Sequence, residues 1–167
     1  MKASWLVVMA ACGTPGPSWL PDAGSGSGAC EPYMSTANLQ SPITSFANDV
    51  TPVLQTSCTS VSCHGIDMLP SGGLFLGNEG SGSSGASEII SGLVGQASGE
   101  LVTMPYVTAG DPTKSYLMHK LDNDLCVYQT ACVGANCMMP MPYGTAELPT
   151  ATRDIVRRWI AQGATDN

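Results

Sequence analysis

The sequence predicts a helical fold carried on long glycine- and serine-rich connections, and three observations lead there. Apolar residues recur at helical spacing around residues 46–54 and again across Thr150 to Gln162. Gly/Ser runs such as Gly80-Ser81-Gly82-Ser83-Ser84-Gly85 interrupt the chain and hold too little apolar surface to form core. Leu125 to Cys137 is polar and punctuated by cysteines, which reads as a loop stapled by disulfide.

The 167 residues suit one domain with length to spare. A net charge of -7 argues against nucleic acid or an anionic lipid surface as an electrostatic partner, and leaves a basic protein partner compatible. Only 11% of residues are charged, Gly, Ser, Thr and Pro are abundant, and seven cysteines are present, a composition that points to an exported protein in an oxidising compartment. No run of 18 apolar residues occurs, so no mature helix is expected to span a membrane. Trp5 and Trp19 fall outside any expected core, and the rest of the chain is short of bulky side chains. A large planar cofactor would help to fill the centre of such a domain.

In chain order, residues 1–11 combine a cationic start, a short apolar run and small residues before Cys12, the pattern of a signal peptide followed by a lipidated cysteine. An ordinary secretory signal is the alternative, and either exports the protein. Residues 12–42, with Gly13-Thr14-Pro15-Gly16-Pro17 and Gly24-Ser25-Gly26-Ser27-Gly28, read as a flexible tether behind that anchor. The domain proper is expected over 43–167. Phe46, Val50, Val53 and Leu54 predict a helix running into Cys58, with Thr51-Pro52 as a cap and first-turn proline. A second helix is predicted over Ser87 to Val94. The Gly80–Gly85 run before it matches G-x-G-x-x-G, but it stands in low-complexity sequence with no room for a βαβ unit, so no nucleotide site is expected.

Asp111-Pro112 predicts a capped helix through Leu121, with Tyr116, Leu117 and Leu121 inward, Lys114 and Lys120 outward, and His119 exposed. Thr150 to Gln162 predicts an amphipathic helix. Its apolar face holds Ile155, Val156, Trp159 and Ile160, and Gly163 stops it. Arg153, Arg157 and Arg158 are expected on its solvated face, or beside the acidic groups of a cofactor.

The chemistry concentrates in Thr56-Ser57-Cys58-Thr59-Ser60-Val61-Ser62-Cys63-His64-Gly65. Two thiols with an imidazole directly behind the second resemble the Cys-x-x-Cys-His haem attachment run, with four residues between the cysteines instead of two. A longer loop can bulge while both sulfurs reach one cofactor edge. A Cys58–Cys63 disulfide and a zinc site needing two further ligands are the alternatives. Met138-Met139-Pro140-Met141-Pro142 follows much later. Its prolines bar a helix and present thioethers at fixed positions, suited to a second axial site on haem iron. His119 is a further candidate ligand. With Cys12 lipidated and Cys58 and Cys63 on the cofactor, Cys30, Cys126, Cys132 and Cys137 remain for two disulfides. One local bridge is expected among the last three, and Cys30 is expected to tie the N-terminal arm to the domain.

Taken in order, Asp49-Val50-Thr51-Pro52-Val53-Leu54-Gln55, Cys63-His64-Gly65, Gly72-Gly73-Leu74-Phe75-Leu76, Gly110-Asp111-Pro112-Thr113-Lys114-Ser115-Tyr116-Leu117, Met139-Pro140 and Trp159-Ile160-Ala161-Gln162-Gly163-Ala164 resemble small bacterial c-type cytochrome domains, particularly those of planctomycete and myxobacterial exported proteins. The resemblance implies an all-α, cytochrome c-like fold wrapped round one haem c. It implies thioether bonds from Cys58 and Cys63, His64 as proximal iron ligand and a methionine as distal ligand, with Met139 first and Met141 next. The implied function is an exported electron carrier between redox proteins in the periplasm or at the cell envelope, with the outer membrane as expected location. The chain is not itself expected to be an enzyme, since no His-Glu-x-x-His, nucleophile elbow or phosphate loop occurs. It could also serve as the haem subunit of an exported dehydrogenase. The competing expectation is a haem-free, disulfide-stapled surface lipoprotein acting as a binding module.

Overall fold

The computed structural model describes residues 30–65, 70–77 and 85–167. The signal and lipidation expectations at residues 1–11 and Cys12, together with Trp19 and most of the Gly80–Gly85 match, lie outside those residues. Among the described residues there are four α-helices and no strand: α1 (Thr51–Ser57), α2 (Ala86–Leu93), α3 (Tyr116–Asp122) and α4 (Thr150–Ala161). Only isolated bridges, Val94 to Val107 and Ala97 to Pro105, pair extended segments. No helix described is long and apolar enough to cross a membrane.

A π-helical turn, Phe46–Val50, leads into α1. Ser45 caps it: its Oγ accepts from the Asn48 amide at 3.2 Å, while its own amide donates to Asp49 Oδ2 at 2.8 Å, so two amide donors at the helix start are satisfied reciprocally. Pro52 stands in the first turn of α1, where a missing N–H costs nothing. Phe46, Val50 and Leu54 are buried, and the Trp159 ring of α4 lies 4.9 Å from that of Phe46. Val156, Trp159 and Ile160 form the buried face of α4, and Gly163 closes the helix at a positive φ of 106°.

The helix expected to run from Asp111 to Leu121 is broken. Asp111 does cap a proline-led turn, but that turn is a short 3-10 helix, Pro112–Lys114. Ser115 then goes extended, because its hydroxyl donates to the Asp111 carbonyl at 2.8 Å and accepts from the Thr108 amide at 2.9 Å. These local bonds compete with continuation of the helix. α3 begins afresh at Tyr116 and is buried on all sides: Tyr116, Leu117, Met118, His119, Lys120 and Leu121 are all inside. The expectation that His119 is exposed and Lys120 points outward is therefore corrected.

The α4 arginines are corrected likewise. Arg153 and Arg157 are buried and converge on Asp122 at the end of α3, at 2.7 and 2.5 Å, and Arg157 also pairs with Asp154. Their charges are answered by carboxylates of the chain itself. Part of the segment assigned to the tether closes this region. Residues 30–42 lie against the domain: the Tyr33 ring sits 4.8 and 4.9 Å from the guanidinium carbons of Arg153 and Arg157, and Ser35 Oγ bonds Asp154 at 3.0 Å. Gln162 Nε2 donates to the carbonyls of Leu39 and Pro42. Among the described residues two disulfides are present. Cys30–Cys126 links this arm to the domain, and Cys132–Cys137 closes the stapled loop.

Candidate functional site

The site grows out of the end of α1. The Cys58 amide makes the last bond of the helix, to the Leu54 carbonyl at 2.7 Å, and Thr59, fully buried, donates from its hydroxyl to the Gln55 carbonyl at 3.1 Å. The chain then folds back on itself. The Cys63 and Gly65 amides both bond the Ser60 carbonyl, at 2.8 and 3.2 Å, and the His64 amide returns to the Cys58 carbonyl at 3.2 Å. The four residues between the cysteines are thus taken up in a compact bulge that leaves Cys58, Cys63 and His64 lining one cavity. Gly65 is required by this geometry: a Cβ there would lie 2.0 Å from the Thr59 carbonyl oxygen.

His64 is oriented by the segment that follows. Its Nδ1 lies 2.8 Å from the Leu74 carbonyl oxygen. A carbonyl can only accept, so Nδ1 carries a proton, and in the neutral ring the lone pair is on Nε2. The Leu76 amide donates to the His64 carbonyl at 3.0 Å, so residues 74–76 grip the histidine by ring and backbone together. Fixing one ring nitrogen in this way sets the tautomer and aims the other at a metal.

The cavity is open to the surface and its enclosed volume is about 60 Å³, below the roughly 300–1,000 Å³ typical of small-molecule and cofactor sites. Leu74 and Leu76 supply one apolar wall, and Tyr116, Leu117 and Leu121 of α3 another. Met141, Pro142 and Tyr143 arrive from the late proline-rich turn. Of the polar groups, Lys120 and Glu100 also reach the lining. Burial, reinforced by the neighbouring Cys63, pushes the Cys58 thiol up to about 12, so it stays neutral at ordinary pH.

Cys58 and Cys63 are free thiols, while the other four described cysteines are bridged. The alternative of a Cys58–Cys63 disulfide is not realised. Among the described residues no group of three or more His, Cys, Asp or Glu side chains is arranged to hold a metal ion, so the two extra ligands that zinc would need do not appear there. Of the candidate axial methionines, Met139 is 53% exposed and does not line the cavity, whereas Met141 does. His119 is not placed to act as a ligand. It is buried outside the lining, with Nδ1 2.8 Å from Asp124 Oδ1 and Nε2 3.1 Å from the Thr113 carbonyl oxygen. Arg153, Arg157 and Arg158 do not line the cavity either.

Two thiols, an imidazole whose Nε2 takes no hydrogen bond among the described residues and a thioether line one apolar cavity, and their chemistry is that of a donor set that would hold a haem through thioethers and His/Met ligation. Sequence reasoning missed the Leu74 carbonyl and Lys120. The signal for Lys120 was present: it stands four residues after Tyr116 and shares its face on a helix, so an inward Tyr116 carries Lys120 inward with it. In comparisons with known proteins, no family model, no curated protein and no solved structure matches this chain.

Proposed function

We propose that this protein is an exported mono-haem c-type cytochrome that carries electrons between redox protein partners at the cell envelope. The observation that carries the proposal is the convergence of Cys58, Cys63 and His64 on one cavity, with both thiols unbridged and His64 Nδ1 tied to the Leu74 carbonyl. In this reading Cys58 and Cys63 would hold a haem through thioethers, and His64 Nε2 and the Met141 thioether would ligate its iron. Haem supplies an iron that accepts and releases one electron. The chain supplies everything else. The apolar walls from α3 and residues 74–76 would shield such an iron from part of the solvent, which would disfavour its more highly charged, oxidised form, and a thioether ligand would raise the potential relative to a second imidazole. Export through residues 1–11 and acylation at Cys12 belong to the same proposal. The mature protein would then work from a lipid anchor.

The test is expression of the full chain with a haem-maturation system. The expected product shows a Soret band and a mass increase of one haem that survives denaturation. Cys58→Ser/Cys63→Ser should be colourless, Met141→Leu should lose the methionine-to-iron charge-transfer band, and Met139→Leu should keep it. A colourless wild-type product overturns the proposal and leaves the haem-free binding lipoprotein in its place. Loss of the band in Met139→Leu alone would return the distal role to Met139.

A further inference from the structure

The structure assigns Lys120 as a positioning residue: its buried ammonium clasps the methionine-bearing turn to α3 and thereby sets where Met141 enters the cavity. The side chain is only 6% exposed, and buried lysines are rare unless paired. Among the described residues it forms no ion pair. Nζ instead donates to two carbonyls of the turn, that of Cys137 at 2.7 Å and that of Met139 at 3.1 Å. The main chain of the same residue completes the clasp, since the Met141 amide donates to the Lys120 carbonyl at 2.9 Å. Alternate residues of the turn, 137, 139 and 141, are therefore all held by one residue of α3.

The composition of the turn explains why it needs outside support. Pro140 and Pro142 have no N–H, so they fix the local backbone but give the turn no amide donors at those two positions. Two further contacts fit the clasp without replacing it. Tyr116 Oη donates to the Cys137 carbonyl at 3.0 Å, and the Cys132–Cys137 bridge fixes the start of the turn. Beyond holding the turn, the ammonium puts a positive charge in the cavity lining, where it opposes oxidation of a bound metal centre and so raises its potential. This last consequence rests on the proposed haem; the clasp itself does not.

Lys120→Met keeps the length and apolar stem and removes the three donors. In the haem-free protein, hydrogen exchange at the Met141 amide is expected to accelerate by about tenfold or more while amides of α4 stay at wild-type rates. In the haem-loaded protein, Lys120→Met is expected to retain covalent haem but lose the methionine-to-iron band and show a lower reduction potential. Exchange at Met141 within about threefold of wild type overturns the clasp, as does methionine ligation retained at an unchanged potential. Should Lys120→Met fail to fold, Lys120→Gln keeps one amide donor but cannot span both carbonyls, and the same exchange criteria apply to it. If the wild-type chain takes up no haem, the cytochrome proposal fails by itself, and exchange in the haem-free protein still decides the role of Lys120.

Discussion

His64 and His119 are the only histidines in the chain, and their surroundings use the same ring in opposite ways. At His64 the Leu74 carbonyl engages Nδ1, and among the described residues Nε2 takes no hydrogen bond. Two thiols line the same cavity unbridged. At His119 both nitrogens face acceptors, Asp124 and the Thr113 carbonyl, and only the doubly protonated ring can donate to both. Around it Asp124 also accepts the Tyr33 amide at 2.8 Å, Asp122 takes both Arg153 and Arg157, and the Tyr33 ring covers the two guanidinium groups. The difference separates the proposed binding region from a bracing one. A region that can receive a cofactor keeps lone pairs and thiols in hand, whereas a region that holds the chain together uses its donors and acceptors on itself.

The largest test of that contrast is Asp122→Ala. It strands Arg153 and Arg157 beside a lost carboxylate, and breaking a buried ion pair in this way is expected to cost about 3–5 kcal/mol in chemical denaturation. His64→Ala in the haem-free protein removes one hydrogen bond, worth about 0.5–1.5 kcal/mol. If the two variants lose similar stability, the distinction between bracing and binding regions collapses.

A smaller and pH-dependent effect is expected at His119. Burial opposes its protonation, but the hydrogen bond and charge of Asp124 outweigh that and hold its pKa above the ordinary 6.5. The resulting stabilisation is fully present below 6.5 and is lost as pH rises through the folded-state value. Unfolding free energy should therefore fall over that range in the wild type, and His119→Gln should flatten the fall while costing about 1–3 kcal/mol on its acid side. A slope that persists in His119→Gln would place its origin elsewhere.

At neutral pH the least effect belongs to Cys58. Its thiol ionises near 9.0 when unfolded and at about 12 when folded, so the haem-free protein should lose stability as pH rises from 9.0 towards 12. Cys58→Ala should remove that component. Alkylation of Cys58 in the folded, haem-free protein should likewise be slow at neutral pH and rise across the same interval, because the thiolate is the reacting form.

Local patterns read directly from the residues survived where short-range physics governs them. α4 spans Thr150–Ala161 where Thr150 to Gln162 was expected, and α2 spans Ala86–Leu93 where Ser87 to Val94 was expected, because an apolar stripe at helical spacing is enough to specify such elements. The four cysteines left over from the site and the signal region are bridged, one pair locally and one through the arm. What could not be read is which polar residues are inside. Arg153, Arg157, His119 and Lys120 are polar, and residue type alone assigns all four to solvent, even where spacing from an inward neighbour, as from Tyr116 to Lys120, points the other way. Here the covering pieces are residues 30–42 and the turn at 137–143, each brought in by contacts far apart in sequence.

The amino-acid sequence alone determined where α1, α2 and α4 form, which thiols stand beside His64 and which turn is stiffened by proline, since these depend on neighbours along the chain. Only the tertiary structure decided that Met141 and not Met139 reaches the cavity, that the Leu74 carbonyl sets the tautomer of His64, and that the polar residues of α3 and α4 are buried. Those outcomes turn on which surfaces meet after long loops close, and in the extended chain no property of a single residue records that meeting.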